Sequence, residues 1–148
     1  MKNETYPVGC RVVLDFMDDK YAPPIGTQGT VLGIDAQNSI LMDWDNGSGL
    51  NVTEVDRVHK IATEEEAVTT LNWYGKHQPE SDARCPRCGE IMWGPKARHA
   101  LSRYASIIVC DQCGMGESLE CAGIAEKRPL TEWCAIKIPS IGGGAWKR

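Results

Sequence analysis

The chain has 148 residues, 20 acidic and 16 basic side chains for a formal charge of −4, seven cysteines and a hydrophobic fraction of 42%. That length fits one ordinary domain or two very small ones, and a unit of roughly 60–70 residues often needs a metal or another staple. No apolar run reaches the ~20 residues of a membrane span, and the acidic total argues against a surface coated in base for duplex binding.

The start MKNETYPVGC lacks the basic-then-apolar layout of a signal peptide. A cytoplasmic protein without a membrane partner is therefore expected. In that compartment seven cysteines point to a metal site before disulfides.

The charge is unevenly spread. Residues 1–80 carry six basic and thirteen acidic side chains, a net of −7, whereas residues 81–148 carry ten and seven, a net of +3. Only Cys10 lies in the first part, and the other six cysteines lie in the second. This asymmetry predicts two modules: residues 1–62, a helical linker over 63–82, and residues 83–148 with a C-terminal tail.

Apolar, β-branched runs at 11–17, 29–34 and 39–44, with shorter pieces at 49–53 and 57–61, read as strands. The breaks between them are rich in Asp, Asn, Gly and Pro. Asn46-Gly47 is a hairpin signal, because both positions tolerate φ > 0. Five short strands in about sixty residues predict a small closed or nearly closed β-barrel. Asp43, Trp44, Asp45 and Asn46 have two readings. Either Trp44 packs the barrel and its neighbours cap a turn, or Tyr21, Pro23, Pro24 and Trp44 form a groove for an extended or proline-rich partner. The negative charge of this half suits a basic partner.

In the linker, Thr63 is the expected N-cap, with Glu64 to Glu66 in the first turn. Ala67, Val68, Leu71 and Tyr74 follow, and Gly75 and Pro79 are expected to end the helix.

The strongest signal is Cys85-Pro-Arg-Cys88-Gly and Cys110-Asp-Gln-Cys113-Gly, two C-x-x-C-G units separated by residues 89–109. Each pair can grip one face of a metal, with the glycine free to take φ > 0 and turn backbone N–H groups toward sulfur. Together they predict a closed four-cysteine site for structural Zn2+, with iron as the less favoured metal. Cys10, Cys121 and Cys134 read as packing residues, Cys121 near a helix start and Cys134 in a strand. His59, His77 and His99 read as inert. No H-E-x-x-H, G-x-S-x-G or G-x-x-x-x-G-K-[ST] pattern is present, so no enzyme is expected. Ile141-Gly-Gly-Gly-Ala reads as a tail.

Residues 84–103 are basic: Arg84, Arg87, Lys96, Arg98 and Arg103 stand against Glu90 alone. Residues 96–104 read as a short helix or an extended arm. With Trp93 and Tyr104 close by, this finger suits a single strand or loop of nucleic acid. The rival reading is a solvated face, since four thiolates around Zn2+ lower the module's charge to about +1.

Two stretches carry resemblances. The order G-x-R-V, P-x-G-x-x-G-T-V and W-D-N-G-S over residues 7–61 resembles SH3-like barrels of the Mind-bomb type, and a bacterial and phage family of unknown function. Residues 83–137, with A-L-S-R between the pairs and P-L-x-x-W after them, resemble small zinc-ribbon proteins of phages and conjugative elements of Gram-positive bacteria. The resemblances imply an SH3-like barrel followed by a zinc ribbon, mostly β with short helices. They imply an accessory protein of a mobile element and no reaction. A host or phage protein is the expected partner, as for a phage inhibitor of a host or defence complex, and nucleic acid is the alternative.

Overall fold

The structure is a computed structural model and describes residues 5–138. The tail reading at Ile141 and beyond lies outside the described residues. The chain divides into two compact units, 1–62 and 63–148. The described part is mostly β-sheet with a few short helices.

In the first unit, β1 (Arg11–Phe16), β2 (Gln28–Ile34), β3 (Ile40–Trp44) and β4 (Arg57–Lys60) form one antiparallel sheet in the order β3-β2-β1-β4. Alternation along the strands sends Val12, Leu14, Val31, Ile40, Met42 and Trp44 into one core, joined by Cys10, Met17 and Val52. Burial pushes the Cys10 thiol up to about 11, as expected of a cysteine that only packs.

The closed barrel expected from five strands is not formed. The 49–53 segment contributes a single bridge, Val52 to Ile40. The reason is local. The Met42 N–H goes to the Asn51 side-chain oxygen and the Leu50 carbonyl accepts from Trp44 Nε1, so side-chain bonds replace a main-chain ladder here, while the Asp56 carboxylate holds the expected turn after it by accepting from Thr53 and Asp18. The expected tight Asn46-Gly47 hairpin also differs. Gly47 donates to the Trp44 carbonyl at 3.0 Å with φ +88°, and a wider loop leads back to Val52.

In the second unit, Thr63 caps α1 (Glu64–Lys76) through a full capping box with Glu66, worth about 1 kcal/mol. Ala67, Leu71 and Tyr74 are buried, whereas Val68 is half-buried. The helix runs through Gly75 instead of ending there. A Cβ at that position would lie 1.9 Å from the Ser106 carbonyl oxygen, so glycine serves close backbone packing. Asn72 accepts from the Ser106 N–H at 2.7 Å, and Gln78 brackets Ile108 with two bonds of 2.8 and 2.9 Å. The helix is thereby built into the second unit.

Two hairpins follow, β5 (Ser81–Arg84) with β6 (Ile91–Pro95), and β7 (Ala100–Leu101) with β8 (Ile108–Val109). Lys96–Arg98 is a 3-10 turn between them. Next come α2 (Asp111–Cys121) and α3 (Cys134–Lys137). Cys121 thus ends a helix, exposed, and Cys134 opens one instead of lying in a strand. The P-L-x-x-W segment supplies Leu130 and Trp133 to the core, and Glu64 of α1 caps it by accepting from the N–H groups of Leu130 and Thr131. No helix among the described residues is long and apolar enough to cross a membrane.

Candidate metal centre

The four cysteines arrive from two different local structures. Cys85 follows β5 and leads into a turn, where Gly89 (φ +82°) lets its N–H return to the Cys85 carbonyl at 2.8 Å. The second pair lies in no such turn. Cys110 is the N-cap of α2 and Cys113 sits in its first turn, with Gly114 inside the helix. A Cβ on Gly114 would come within 2.5 Å of the Ala100 side chain, so this glycine allows the helix to approach β7.

The helix start still directs N–H groups at sulfur. Cys110 donates to Cys85 Sγ at 3.3 Å, and Cys113 donates to Cys110 Sγ at 3.4 Å.

The four Sγ atoms lie within 4.8 Å of one another, with those of Cys88 and Cys110 3.7 Å apart. A tetrahedral zinc–thiolate centre with bonds of ~2.3 Å has S···S edges of about 3.8 Å. A disulfide needs ~2.05 Å, so the spacing fits a shared cation and not a bridge. The cluster could hold a metal ion such as zinc.

The thiols respond as a group. A hydrogen bond from the Cys113 thiol, helped by backbone N–H groups, holds Cys85 down to about 5 against the opposing effect of burial. Burial pushes Cys88 up to about 11, and its bond to Cys85 drives Cys113 up. Of these three, Cys85 is the one favoured as thiolate. A divalent ion reverses that balance by making four thiolates compatible.

Arg87, between the first two cysteines, is buried at 7% exposure. Its guanidinium makes two bonds to the Glu120 carboxylate, at 3.1 and 2.6 Å, and lies 3.6 Å from Glu117. It also covers the Trp133 ring. Glu117 accepts from Ser102 Oγ and the Arg103 N–H, and Glu120 from Tyr104 Oη and the Arg128 N–H. The Cys134 and Ala135 N–H groups bond to the carbonyls of Arg87 and Pro86. The first turn is therefore clamped to α2 and α3 by residues that sequence reasoning did not connect. Glu117 and Glu120 stand three positions apart on an otherwise weakly patterned helix, and that i, i+3 spacing was the available signal.

Arg87 is thus withdrawn from the set of outward bases. Arg84, Arg98 and Arg103 are exposed, and Lys96 is half-buried, with its ammonium 3.4 Å from Glu80. Trp93 is 71% exposed on β6. Ala83 and Met92 pair inward, so Arg84, Ile91 and Trp93 share the outer face of that hairpin. His99 lies under this finger, bonded to the Trp93 carbonyl.

In the first unit the residues of the alternative partner groove are dispersed. Trp44 is 1% exposed and donates to the Leu50 carbonyl, which makes it a core residue. Pro23 is buried, while Tyr21 and Pro24 are exposed. Asp45 is more than a turn former. It accepts from buried Arg11 at 2.7 Å, and Arg11 also donates to Thr30 and Gln28. The R of G-x-R-V thus meets the D of W-D-N-G.

Residues 1–61 match a known family described only as a domain of unknown function (DUF4314). No curated protein and no solved structure matches the chain. The match carries neither a function nor a source, and it leaves the cysteine module uncovered.

Proposed function

We propose that this protein is a non-enzymatic, zinc-binding adaptor that acts by binding another protein. In this reading Cys85, Cys88, Cys110 and Cys113 hold one structural Zn2+ in a ribbon-like module, and the first unit is an open relative of SH3-like barrels. The observation that carries it is the four-sulfur cluster, whose spacing suits a closed tetrahedral shell. Such a shell leaves no position for substrate, so the ion would stabilise the fold and not take part in a reaction. Zinc is preferred to iron on chemical grounds, as a redox-silent ion for a fold-holding site. The resemblance of residues 83–137 to zinc-ribbon proteins of phages and conjugative elements is the ground for reading the chain as a mobile-element product.

A second reading has its own support. Trp93 and Arg84 share an exposed face, and Arg98 and Arg103 are also exposed on this unit, a combination that suits stacking and phosphate pairing with single-stranded nucleic acid.

Two measurements test these readings. Metal analysis by mass spectrometry should give one zinc per chain, and iron or no metal would refute the zinc assignment. A pull-down from the native host, repeated with nuclease and at high salt, should retain a stoichiometric protein partner in both. A catch that disappears with nuclease and falls steeply with salt would favour nucleic acid.

A further inference from the structure

We propose that the first unit seats an extended, basic protein segment in the open seam of its sheet. The inference deepens the protein-binding reading above and rests on it.

The seam exists because the sheet does not close. Among the described residues one edge is β4, laddered only to β1, and the other is β3, with a single bridge at Val52. Between them runs a groove of about 480 Å³. Its floor is Ile40 and Val52, and its wall is Val58 and Tyr6. Val55, on the adjoining turn, is 61% exposed. The main-chain groups beside the groove are largely taken, since Ile40 exchanges two bonds with Val52 and the Val58 carbonyl accepts from Tyr6 Oη at 3.4 Å. An extended segment would therefore be held by its side chains, with alternate ones packing on the groove wall and the others meeting the rim.

Charge selects the occupant. Asp15, Glu54 and Asp56 stand on the rim against Arg57. A second hollow of about 290 Å³ shares Thr53 and Asp56 and brings Asp18, Asp19 and Asp35 into the same line. These carboxylates are partly fixed beforehand. Asp56 and Asp35 accept local N–H bonds, and Asp15 faces His59 at 2.8 Å. Their charge is therefore oriented without further ordering. The whole of 1–62 holds nine acidic side chains against five basic ones. A segment alternating apolar residues with Lys or Arg meets both the floor and the rim, and the field speeds its approach.

The test uses the full-length chain, grown with zinc and presented to a random displayed peptide library of about 12 residues, long enough for one extended run along the groove. Synthetic copies of the selected peptides are then measured by fluorescence anisotropy. The expected winners alternate apolar residues with Lys or Arg. Glu54→Lys should weaken them about tenfold, and Arg57→Glu should tighten them several-fold. Glu126→Lys, the same charge change in the second unit, should leave affinity unchanged.

Acidic or neutral winners, an equal loss in Glu126→Lys, or no enrichment would overturn the proposal. Peptides insensitive to both groove variants but lost on Trp93→Ala would overturn the groove and leave the protein-binding reading standing. A dimer that separates on Glu54→Lys would seat a second copy in the seam and would equally overturn it.

Discussion

The Arg87 guanidinium holds the Glu120 carboxylate by two bonds, at 3.1 and 2.6 Å, and so ties the turn carrying Cys85 and Cys88 to the helix carrying Cys110 and Cys113. Both side chains are nearly excluded from water, at 9% and 4% side-chain exposure. At that depth neither charge is tolerable without the other. Arg87→Met should therefore destabilise the second unit by about 3–5 kcal/mol, since it strands Glu117 and Glu120. Combining it with Glu120→Gln should recover part of the loss. Denaturant midpoints of the two single variants and the double variant measure the coupling, and strictly additive losses would remove the clamp.

The same pair sets a pH dependence. Its bond to Arg87 holds the Glu120 carboxyl down from 4.5 to about 2. A depressed carboxyl stabilises the fold fully above its unfolded value, and the contribution fades as pH falls through the folded one. Wild type should exceed Glu120→Gln by about 3 kcal/mol at pH 7. The gap should hold down to about pH 5 and close on approach to pH 2. Acid loss of metal affects both proteins and cancels in the difference.

Metal and fold should be linked in the second unit. Cys110→Ser removes a ligand and alters the N-cap of α2, so the variant should lose its zinc and unfold residues 63–138 while the first unit remains folded. Cys10→Ala, Cys121→Ala and Cys134→Ala should keep full zinc content. A folded Cys110→Ser protein with one zinc per chain would show the ligand assignment to be wrong.

Gly75→Ala replaces a poor helix former with the best one, yet the expected sign is destabilising. The added methyl meets the Ser106 carbonyl oxygen, and the 105–107 backbone must move. A loss of about 1–3 kcal/mol is expected in thermal or urea unfolding. A gain would mean that the close approach of α1 to this segment does not occur in solution.

Asp45→Ala probes the first unit in the same way. It takes the paired carboxylate away from Arg11, which is 5% exposed, and leaves the neutral acceptors Thr30 and Gln28 beside a buried cation. A loss of about 3–5 kcal/mol confined to the first unit is expected, against a few tenths for a turn residue that only caps. Amide exchange resolved by residue separates the two outcomes.

The sequence alone determined the features that rest on local chemistry. Four strands of the first sheet follow from β-branched runs, and the Thr63 cap from a side chain meeting a backbone three residues on. The candidate ligand set follows from cysteine spacing, because paired thiols must be near in sequence to share a turn. What lay beyond sequence depends on residues far apart in the chain. Only the tertiary structure showed that the second cysteine pair sits on a helix, whose N-terminus supplies the N–H groups that a glycine turn was expected to give. Only it decided between the two readings of Trp44, in favour of the core, and withdrew Arg87 into a clamp, since burial is a property of neighbours. It also left the barrel open, because side-chain bonds of Asn51 and Trp44 replace main-chain pairing along the 49–53 segment. The −4 of the whole chain thereby resolves into an acid-rimmed seam on one unit and a half-neutralised basic finger on the other.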